Sequence, residues 1–315
     1  MSPQRKQRAL ANRDPVEPKS VGLVGLGRMG RAIAGRLASA ELLGAVYNRT
    51  VETSREVAAE IGVRACPSLE ELTANSSILI TTVSDAAAIS AVFDESEGLP
   101  AFLRPGTLCL EMSTVGPATI VALGRTLSAV GCALIDAPVS GSTKLASEGK
   151  LTILAGGDAK DVERAQPVFD AIGRRTFHVG PLGTGATMKL AVNNVIYGLN
   201  QSVAESLVLA ERAGISRDLA YDVFANSAVA APFLAYRRPL FENPDLAPLM
   251  SLDLALKDLA LILELASEVG AQLPQATANG SVMEAARARG LGSRDVSITA
   301  EHLRTLGEGS HGQSL

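Results

Sequence analysis

"VGLVGLGRMGRAIAGRLASA", residues 21–40, joins a short apolar run to a glycine-rich turn and then to a segment with helical periodicity. The turn has the pattern G-x-G-x-x-G. In such a turn the first glycine permits a tight bend, the second lets a pyrophosphate approach the backbone, and the third lets helix and strand pack closely. Because the pattern lies between a strand and a helix, it predicts a dinucleotide-binding βα unit. The residues expected to contact the dinucleotide here are Gly25, Leu26, Gly27, Arg28, Met29 and Gly30.

Apolar runs separated by helical segments continue beyond this unit. They are VGLVGLG, GAVYNRT, SSILITTVS, GTLCLEMSTV, CALIDAPVS, KLTILAGG and TFHVG. Continuous apolar runs of this length are typical of a parallel sheet covered on both faces. After GPLGTG, at 180–185, strand patterns stop and helical segments rich in Ala, Leu, Glu and Arg continue to about residue 306. We predict an α/β Rossmann domain with a mostly parallel, doubly wound sheet at 21–182, and an all-α domain at 183–306. The polar ends, 1–20 and 307–315, are expected to form a disordered arm and a flexible tail.

Composition excludes several classes of protein. The 315 residues carry 29 Lys and Arg against 33 Asp and Glu, a net charge of −4, which argues against a nucleic-acid or anionic-membrane partner. No run of about eighteen apolar residues predicts a membrane span. The three cysteines and three histidines are scattered, so we expect no disulfide framework, no metal site and a cytoplasmic location.

The end of the second strand bears on the choice of cofactor. An NAD enzyme places Asp or Glu there to bind the ribose hydroxyls. This chain instead has Asn48, Arg49 and Thr50. An amide, a guanidinium and a hydroxyl can bind a 2′-phosphate, so we predict NADP, although Arg49 alone could be an ordinary solvated turn residue. We also expect Val83 and Ser84, which end the run SSILITTVS, to contact the cofactor.

Lys189 is the first candidate for chemistry. Residues 161–315 contain eleven arginines but only two lysines, Lys189 and Lys257. A buried amine can give or take a proton, whereas a guanidinium practically cannot. Asn193 lies four residues later on the same helical face, which predicts one polar stripe lining a cleft. The alternative is a lysine stem lying on the core with its head in water.

A second candidate site follows the run CALI, in the stretch DAPVSGS. There Ser140, Gly141 and Ser142 combine a flexible backbone with two hydroxyls. Such a turn can present several N–H groups to a substrate carboxylate. The alternative is a Ser/Gly-rich connection that binds no ligand.

These residues together resemble the β-hydroxyacid dehydrogenases, over about residues 21–306. The resemblance rests on GLGRMG at 25–30, MSTV at 112–115, DAPVSGS at 136–142, the G-x-G-x-x-x-K-x-x-x-N run at 183–193, and Lys257-Asp258. It implies a Rossmann domain followed by an all-helical domain, as in 6-phosphogluconate dehydrogenase-like folds. It also implies an NADP-dependent oxidoreductase, and a homodimer.

The resemblance assigns roles to individual positions. Lys189 would be the general acid that protonates the carbonyl oxygen, and Asn193 would orient the substrate or the lysine. The turn at 140–142 would hold the substrate carboxylate, and Thr114 would lie between nicotinamide and substrate. Lys257 and Asp258 would close the site. Lys257 would contact the cofactor, and Asp258 would be one of the catalytic residues.

Within the family, VSGS, ILAGGD and MKLAVN are most similar to the NADPH-dependent glyoxylate/succinic semialdehyde reductase branch. Met250 departs from it, because that branch usually has phenylalanine eight residues before the Lys-Asp aspartate. A flexible thioether there would change the shape of the substrate pocket. Two alternatives remain: an imine reductase or biosynthetic carbonyl reductase on the same fold, and a non-catalytic dinucleotide-binding module. Lys189 argues against both the imine reductase and the non-catalytic module, which usually lack this lysine.

Overall fold

The N-terminal half of the protein is organised around one sheet. The computed structural model describes residues 17–306, and within this range the sheet has nine strands. They are β1 Val21–Val24, β2 Leu43–Tyr47, β3 Arg64–Ala65, β4 Ile78–Thr81, β5 Leu108–Glu111, β6 Ala133–Asp136, β7 Val139–Ser140, β8 Leu151–Gly156 and β9 Gly173–Gly180. Their order is β3-β2-β1-β4-β5-β6-β8-β7, with β9 beside β8. The strand order reverses between β1 and β4, which is the point where open α/β sheets bind ligands.

Most strands are apolar because both faces of the sheet are covered, whereas β3 and β9 carry polar residues and are partly exposed. In β1, Leu23 belongs to one core cluster and Val24 to the other. The same alternation occurs in β4, where Ile80 and Leu79 point to opposite clusters. The pairings from β3 through β6 are parallel, and only β8 runs antiparallel to β6 and β7. The predicted mostly parallel, doubly wound sheet is confirmed.

Helices connect these strands. Those of the N-terminal half are α1 Arg28–Ser39, α2 Val51–Ile61, α3 Leu69–Ala74, α4 Ala86–Val92, α5 Leu99–Phe102, α6 Pro117–Ala129, α7 Thr143–Ser147 and α8 Ala159–Ile172. One run differs from expectation: CALIDAPVS is not a single strand. It forms β6 and, after a break at Ala137-Pro138, the short antiparallel β7, because proline has no N–H for the ladder.

The C-terminal half is helical. Its elements are α9 Thr184–Arg212, α10 Arg217–Ala225, α11 Pro232–Glu242, α12 Leu252–Glu268, α13 Pro274–Ala286 and α14 Thr299–Leu306, with short turns at Arg287–Leu291 and Val296–Ile298. Two clusters of buried apolar side chains form its core. The chain divides into two compact units between Lys189 and Leu190, inside α9, whereas the strand patterns end before Thr184.

The disordered arm was predicted to extend to residue 20, but its last four residues belong to the described structure. Glu17–Ser20 form a turn in which the Lys19 N–H donates to the Glu41 carbonyl at 2.9 Å, and Ser20 is buried. The rest of the predicted arm, 1–16, and the predicted tail, 307–315, lie outside the described residues. Across residues 17–306 no helix has the length and apolar character that crossing a membrane requires.

Candidate functional site

The glycine turn after β1 has an open side and a packed side. A Cβ at Gly25 would lie 2.2 Å from the Thr82 carbonyl oxygen, and one at Gly30 would lie 2.0 Å from the Gly25 carbonyl oxygen. Gly25 also has φ 95°, which favours glycine. At Gly27, by contrast, a Cβ would meet no heavy atom within 4 Å. Gly27 precedes the first turn of α1, where N–H groups lack acceptors within the helix, so the turn has room and N–H donors for a pyrophosphate. Its geometry fits a bound dinucleotide.

The end of β2 is fixed to this turn by Asn48. Its Oδ1 accepts the Leu26 N–H at 3.0 Å, and its Nδ2 donates to the Thr50 carbonyl at 3.3 Å. The Asn48 side chain therefore holds the backbone of both the glycine turn and the turn after β2. Arg49 and Thr50 are exposed, and Thr50 makes no side-chain cap to α2, which begins at Val51. These two residues and the first turn of α2 are the part of this edge that is open to a phosphate.

The turns after β4 and β5 are joined by a buried polar network that the sequence did not predict. Glu111, the last residue of β5, is completely buried. Its Oε1 accepts the Ser113 N–H at 2.6 Å, and its Oε2 accepts the Thr81 hydroxyl. The Ser113 hydroxyl in turn accepts the Val83 N–H at 2.8 Å. The only sequence signal was a carboxylate ending the apolar run LCLE.

The remaining predicted cofactor residues lie on the same turns. Ser84 follows Val83 and is exposed, and its hydroxyl donates to Asp85 at 2.7 Å. Thr114 is half-buried in the turn after β5. Both therefore lie at the carboxyl edge of the sheet, close to the strand reversal.

Lys189 lies in the second turn of α9, whose start is held by Asp136. The carboxylate of Asp136, at the end of β6, accepts the N–H groups of Gly183 at 2.8 Å and Ala186 at 2.7 Å. Burial raises the pKa of Asp136 to about 6, and these N–H donors oppose that rise. The apolar neighbours of Lys189 predict a buried side chain, but the lysine is only half-buried. Met188 beside it is 40% exposed.

The predicted carboxylate turn contains a glycine whose backbone conformation other residues rarely adopt. Gly141 has φ 143° and is exposed, and a Cβ there would lie 2.9 Å from a methyl carbon of Leu151. Ser140 belongs to β7, and the Ser142 hydroxyl caps α7 by accepting the Leu145 N–H at 3.3 Å. A hydroxyl that accepts one bond can still donate another. Ser142 therefore keeps a donor for an anion.

A polar cluster lies inside the helical half. The Asp258 Oδ2 accepts the Asn193 Nδ2 at 2.8 Å and the Tyr197 hydroxyl at 2.9 Å, and all three side chains are at most 2% exposed. Lys257 places its Nζ 3.0 Å from Asp258 Oδ1. Burial, with the adjacent Asp258 charge, raises the pKa of Tyr197 well above its usual value, so the phenol stays a donor. Tyr197 continues the stripe that begins at Asn193, but it was not among the predicted site residues.

Two further residues of this half have structural roles. Asn200, which prolongs the same stripe, donates to the Val296 carbonyl and the Thr299 hydroxyl, both at 3.2 Å. Met250 has its backbone held by Asp295, whose Oδ2 accepts the Met250 N–H at 3.1 Å.

Comparisons with known proteins agree with this geometry. Residues 20–180 match the model of the NAD-binding domain of 6-phosphogluconate dehydrogenase, and residues 183–303 match that of the NAD-binding region of NADP-dependent 3-hydroxyisobutyrate dehydrogenase. Glyoxylate/succinic semialdehyde reductase 1 of Arabidopsis thaliana is 34% identical, over 90% of this chain and 98% of its own. 2-(Hydroxymethyl)glutarate dehydrogenase of Eubacterium barkeri is 32% identical, over 88% and 92%.

Among solved structures, 3-hydroxyisobutyrate dehydrogenase of Salmonella typhimurium is 28% identical with a TM-score of 0.82, and the match covers 90% of this chain and 99% of that one. The shared architecture thus extends over both halves of the protein, together with the glycine turn that fits a nicotinamide dinucleotide. The chain belongs to the β-hydroxyacid dehydrogenase family of oxidoreductases, which act on CH–OH groups with a nicotinamide cofactor.

Proposed function

We propose that this enzyme uses NADPH to reduce a small aldehyde or keto acid that bears a carboxylate, and catalyses the reverse oxidation of the hydroxy acid. Glyoxylate, succinic semialdehyde and acids of similar size are the expected substrates. The observation that carries the proposal is the position of Lys189, in a helix whose start Asp136 holds at the carboxyl end of β6. Dinucleotides bind at that edge of a doubly wound sheet, so an amine there can serve a carbonyl beside the nicotinamide.

In this scheme a bound nicotinamide supplies the hydride. Lys189 donates a proton to the carbonyl oxygen during reduction and accepts it during oxidation, a task that a guanidinium cannot perform. Asn193 follows one turn later in the same helix. Because its Nδ2 donates to Asp258, its amide oxygen is left to accept a bond from the lysine or from a substrate hydroxyl.

Recognition of the substrate carboxylate is assigned to Ser140, Gly141 and Ser142. The exposed backbone at Gly141 and the donor capacity of Ser142 support this assignment. The donors that this turn itself offers an anion are a backbone N–H and a hydroxyl.

NADPH, not NADH, is the proposed cofactor because no carboxylate ends β2. Arg49 and Thr50 are exposed, and the first turn of α2, where N–H groups lack acceptors within the helix, adds donors to the same edge. A 2′-phosphate would therefore meet one cation, one hydroxyl and a helix N-terminus.

Turnover by Lys189→Ala tests the mechanism. NADPH oxidation is measured with glyoxylate, succinic semialdehyde, tartronate semialdehyde and a cyclic imine. The variant should lose roughly 100- to 10,000-fold in kcat with every accepted acid, the usual contribution of a general acid, while NADPH affinity stays within about twofold. Lys160→Ala is the matched control, since this exposed lysine of α8 should leave kcat unchanged.

Two results would overturn the proposal. Wild-type turnover by Lys189→Ala would remove the lysine from the mechanism. Turnover of the cyclic imine alone would exclude carbonyl acids as substrates and favour imine reduction.

We also propose a homodimer formed through the helical half. Of the fifteen large apolar side chains that are exposed within residues 17–306, twelve follow Lys189. Leu219 and Val223, each 56% exposed, lie one turn apart on α10. Exposed apolar area of this kind is typical of interaction surfaces. Sedimentation equilibrium should give twice the chain mass, and Leu219→Asp with Val223→Asp should reduce it; a monomeric wild type at assay concentration would exclude the dimer.

We also propose that the protein is cytoplasmic. Cys66, Cys109 and Cys132 are all buried free thiols. Burial raises the pKa of each, so none is a reactive thiolate. Such cysteines suit a reducing compartment. Fluorescent fusion or cell fractionation tests this directly.

A further inference from the structure

Glu111 is an ionisable residue buried where the proposed chemistry gives it no task. It ends β5 between two neighbours in register, Thr81 of β4 and Asp136 of β6, and its side chain is completely buried. A carboxylate in such a place is costly unless donors compensate for lost hydration. Two donors do so: the Thr81 hydroxyl and the Ser113 N–H.

The two donors belong to the ends of two different strands. Thr81 ends β4, and Ser113 lies in the turn after β5. Because Glu111 bonds to both, one side chain connects the ends of two adjacent strands. Ser113 extends the connection, since its hydroxyl accepts the Val83 N–H at 2.8 Å. The turn after β4 is thus held through side chains at Thr81 and through its backbone at Val83.

That turn packs directly against the glycine fingerprint. A Cβ at Gly25 would lie 2.2 Å from the Thr82 carbonyl oxygen, and one at Gly30 would lie 2.9 Å from the Thr82 methyl group. The Thr82 N–H also donates to the Val24 carbonyl at 3.0 Å. Thr82 therefore touches the first and third glycines of the fingerprint. Any displacement of the turn would reach the pyrophosphate-binding backbone.

We propose that Glu111 is a positioning residue for the cofactor: it fixes the Thr82–Val83 turn against the glycine fingerprint, acting through Ser113, and so sets the affinity for both nicotinamide dinucleotides. The proposal rests on cofactor binding by this turn, but not on Lys189, the carbonyl substrate or the choice of NADPH. The network touches neither Arg49 nor Thr50, so NADPH and NADH should be affected alike.

Dissociation constants measured without substrate test the proposal. The chain contains no tryptophan, so isothermal titration calorimetry and the fluorescence of the reduced cofactors are the suitable readouts. Glu111→Ala should weaken NADPH and NADH by about the same factor, roughly tenfold or more, because two donors lose their acceptor. Glu111→Gln keeps an acceptor oxygen for Ser113 and should restore binding to within about threefold of wild type. At saturating cofactor, kcat should change less than KM for cofactor in each variant.

Two additional variants make the result decisive. Ser113→Ala leaves both donors of Glu111 in place but removes the acceptor of Val83, so it should raise both dissociation constants even if Glu111→Ala fails to fold. Leu72→Ala controls for lost stability, because Leu72 is a fully buried core residue of the same half.

The proposal is overturned by wild-type affinity in Ser113→Ala or Glu111→Ala, or by a Leu72→Ala variant of equal thermal stability that binds as weakly. It is also overturned if NADPH alone is weakened, which would assign the effect to the 2′-phosphate. Loss of turnover in Lys189→Ala with unchanged cofactor affinity in Glu111→Ala would leave the proposed function standing and remove only this inference.

Discussion

The buried carboxylate of Asp136 accepts the backbone N–H of Ala186 at 2.7 Å, and this bond ties β6 to the helix that carries Lys189. The Gly183 N–H adds a second bond at 2.8 Å. Both N–H groups belong to the start of the helix, where intrahelical acceptors are absent. Gly185 makes the approach feasible, since a Cβ there would lie 2.6 Å from the Asp136 carbonyl oxygen. One carboxylate thus sets where the lysine helix begins.

Replacing Asp136 by Asn should therefore affect both stability and turnover. The amide keeps one acceptor but turns an NH₂ group toward the other N–H, which costs about 1–3 kcal/mol. A shifted helix start also displaces Lys189, so kcat should fall. Urea unfolding and initial rates measure the two effects. Asp158→Asn is the control, because Asp158 precedes α8 without a side-chain cap bond and should change neither. An unaltered kcat in Asp136→Asn would separate the cap from catalysis.

The stability of the protein should depend on pH through Glu111. Burial raises the pKa of Glu111 from 4.5 to about 7; bonds from Ser113 and Thr81 oppose this rise and the Asp136 charge adds to it. Between pH 4.5 and 7 the folded state therefore binds more protons than the unfolded chain, so the free energy of unfolding falls as pH rises. Glu111→Gln should remove a decrease on the order of 3 kcal/mol across this window. Urea titrations from pH 4.5 to 8 check it, and parallel curves would contradict the assignment.

Local pattern was sufficient for the sheet and the cofactor turn. A strand that is buried on both faces of a sheet is apolar at successive positions, and each predicted run contains a strand. The glycine spacing places Gly25 and Gly30 where a Cβ would collide with backbone. Helical spacing alone placed Asn193 on the same face as Lys189. Each inference depends only on residues near in sequence.

Long-range partners could not be predicted in this way. The bond from Ala186 to Asp136 spans 50 residues, and Glu111 meets Thr81 only because β4 and β5 pair in one register. A shift of that register by one residue would point Glu111 to the other face. Sequence also could not show that Asn48 turns inward to Leu26.

Tyr197→Phe should lower kcat more than stability loss explains. The phenol donates to Asp258 at 2.9 Å, and Asp258 also holds the Asn193 amide. Without the phenol the carboxylate can rotate, and we expect kcat to fall severalfold with cofactor affinity unchanged, a loss of about 1 kcal/mol. Tyr221→Phe is the matched control: this buried phenol donates to the Leu234 carbonyl, also at 2.9 Å, away from the cluster. Equal kcat losses in both variants would indicate a structural role only.

Cofactor preference should move in opposite directions at two exposed positions. Arg49→Ala removes the cation proposed for the 2′-phosphate and should raise KM for NADPH roughly tenfold, while KM for NADH stays constant. Glu52, in the first turn of α2, would repel that phosphate, so Glu52→Gln should lower KM for NADPH. Arg55→Ala, further along the same helix, is the charge-matched control. A parallel change for NADH in Arg49→Ala would place the arginine elsewhere on the cofactor.

Adjacent arginines on α11 should differ sharply in their contribution to stability. Arg237 and Asp295 form a buried ion pair at 2.5 Å, with side chains 4% and 2% exposed, whereas Arg238 pairs with carboxylates at a half-exposed surface. Arg237→Leu leaves the Asp295 charge buried without its partner, which costs about 3–5 kcal/mol. Arg238→Leu removes solvent-screened pairs and should cost much less. Because Asp295 also accepts the Met250 N–H, Arg237→Leu should in addition change KM for the carbonyl substrate if Met250 shapes its pocket. Urea unfolding of the two variants decides the stability contrast, and similar losses would show that the buried pair is no stronger than the exposed ones.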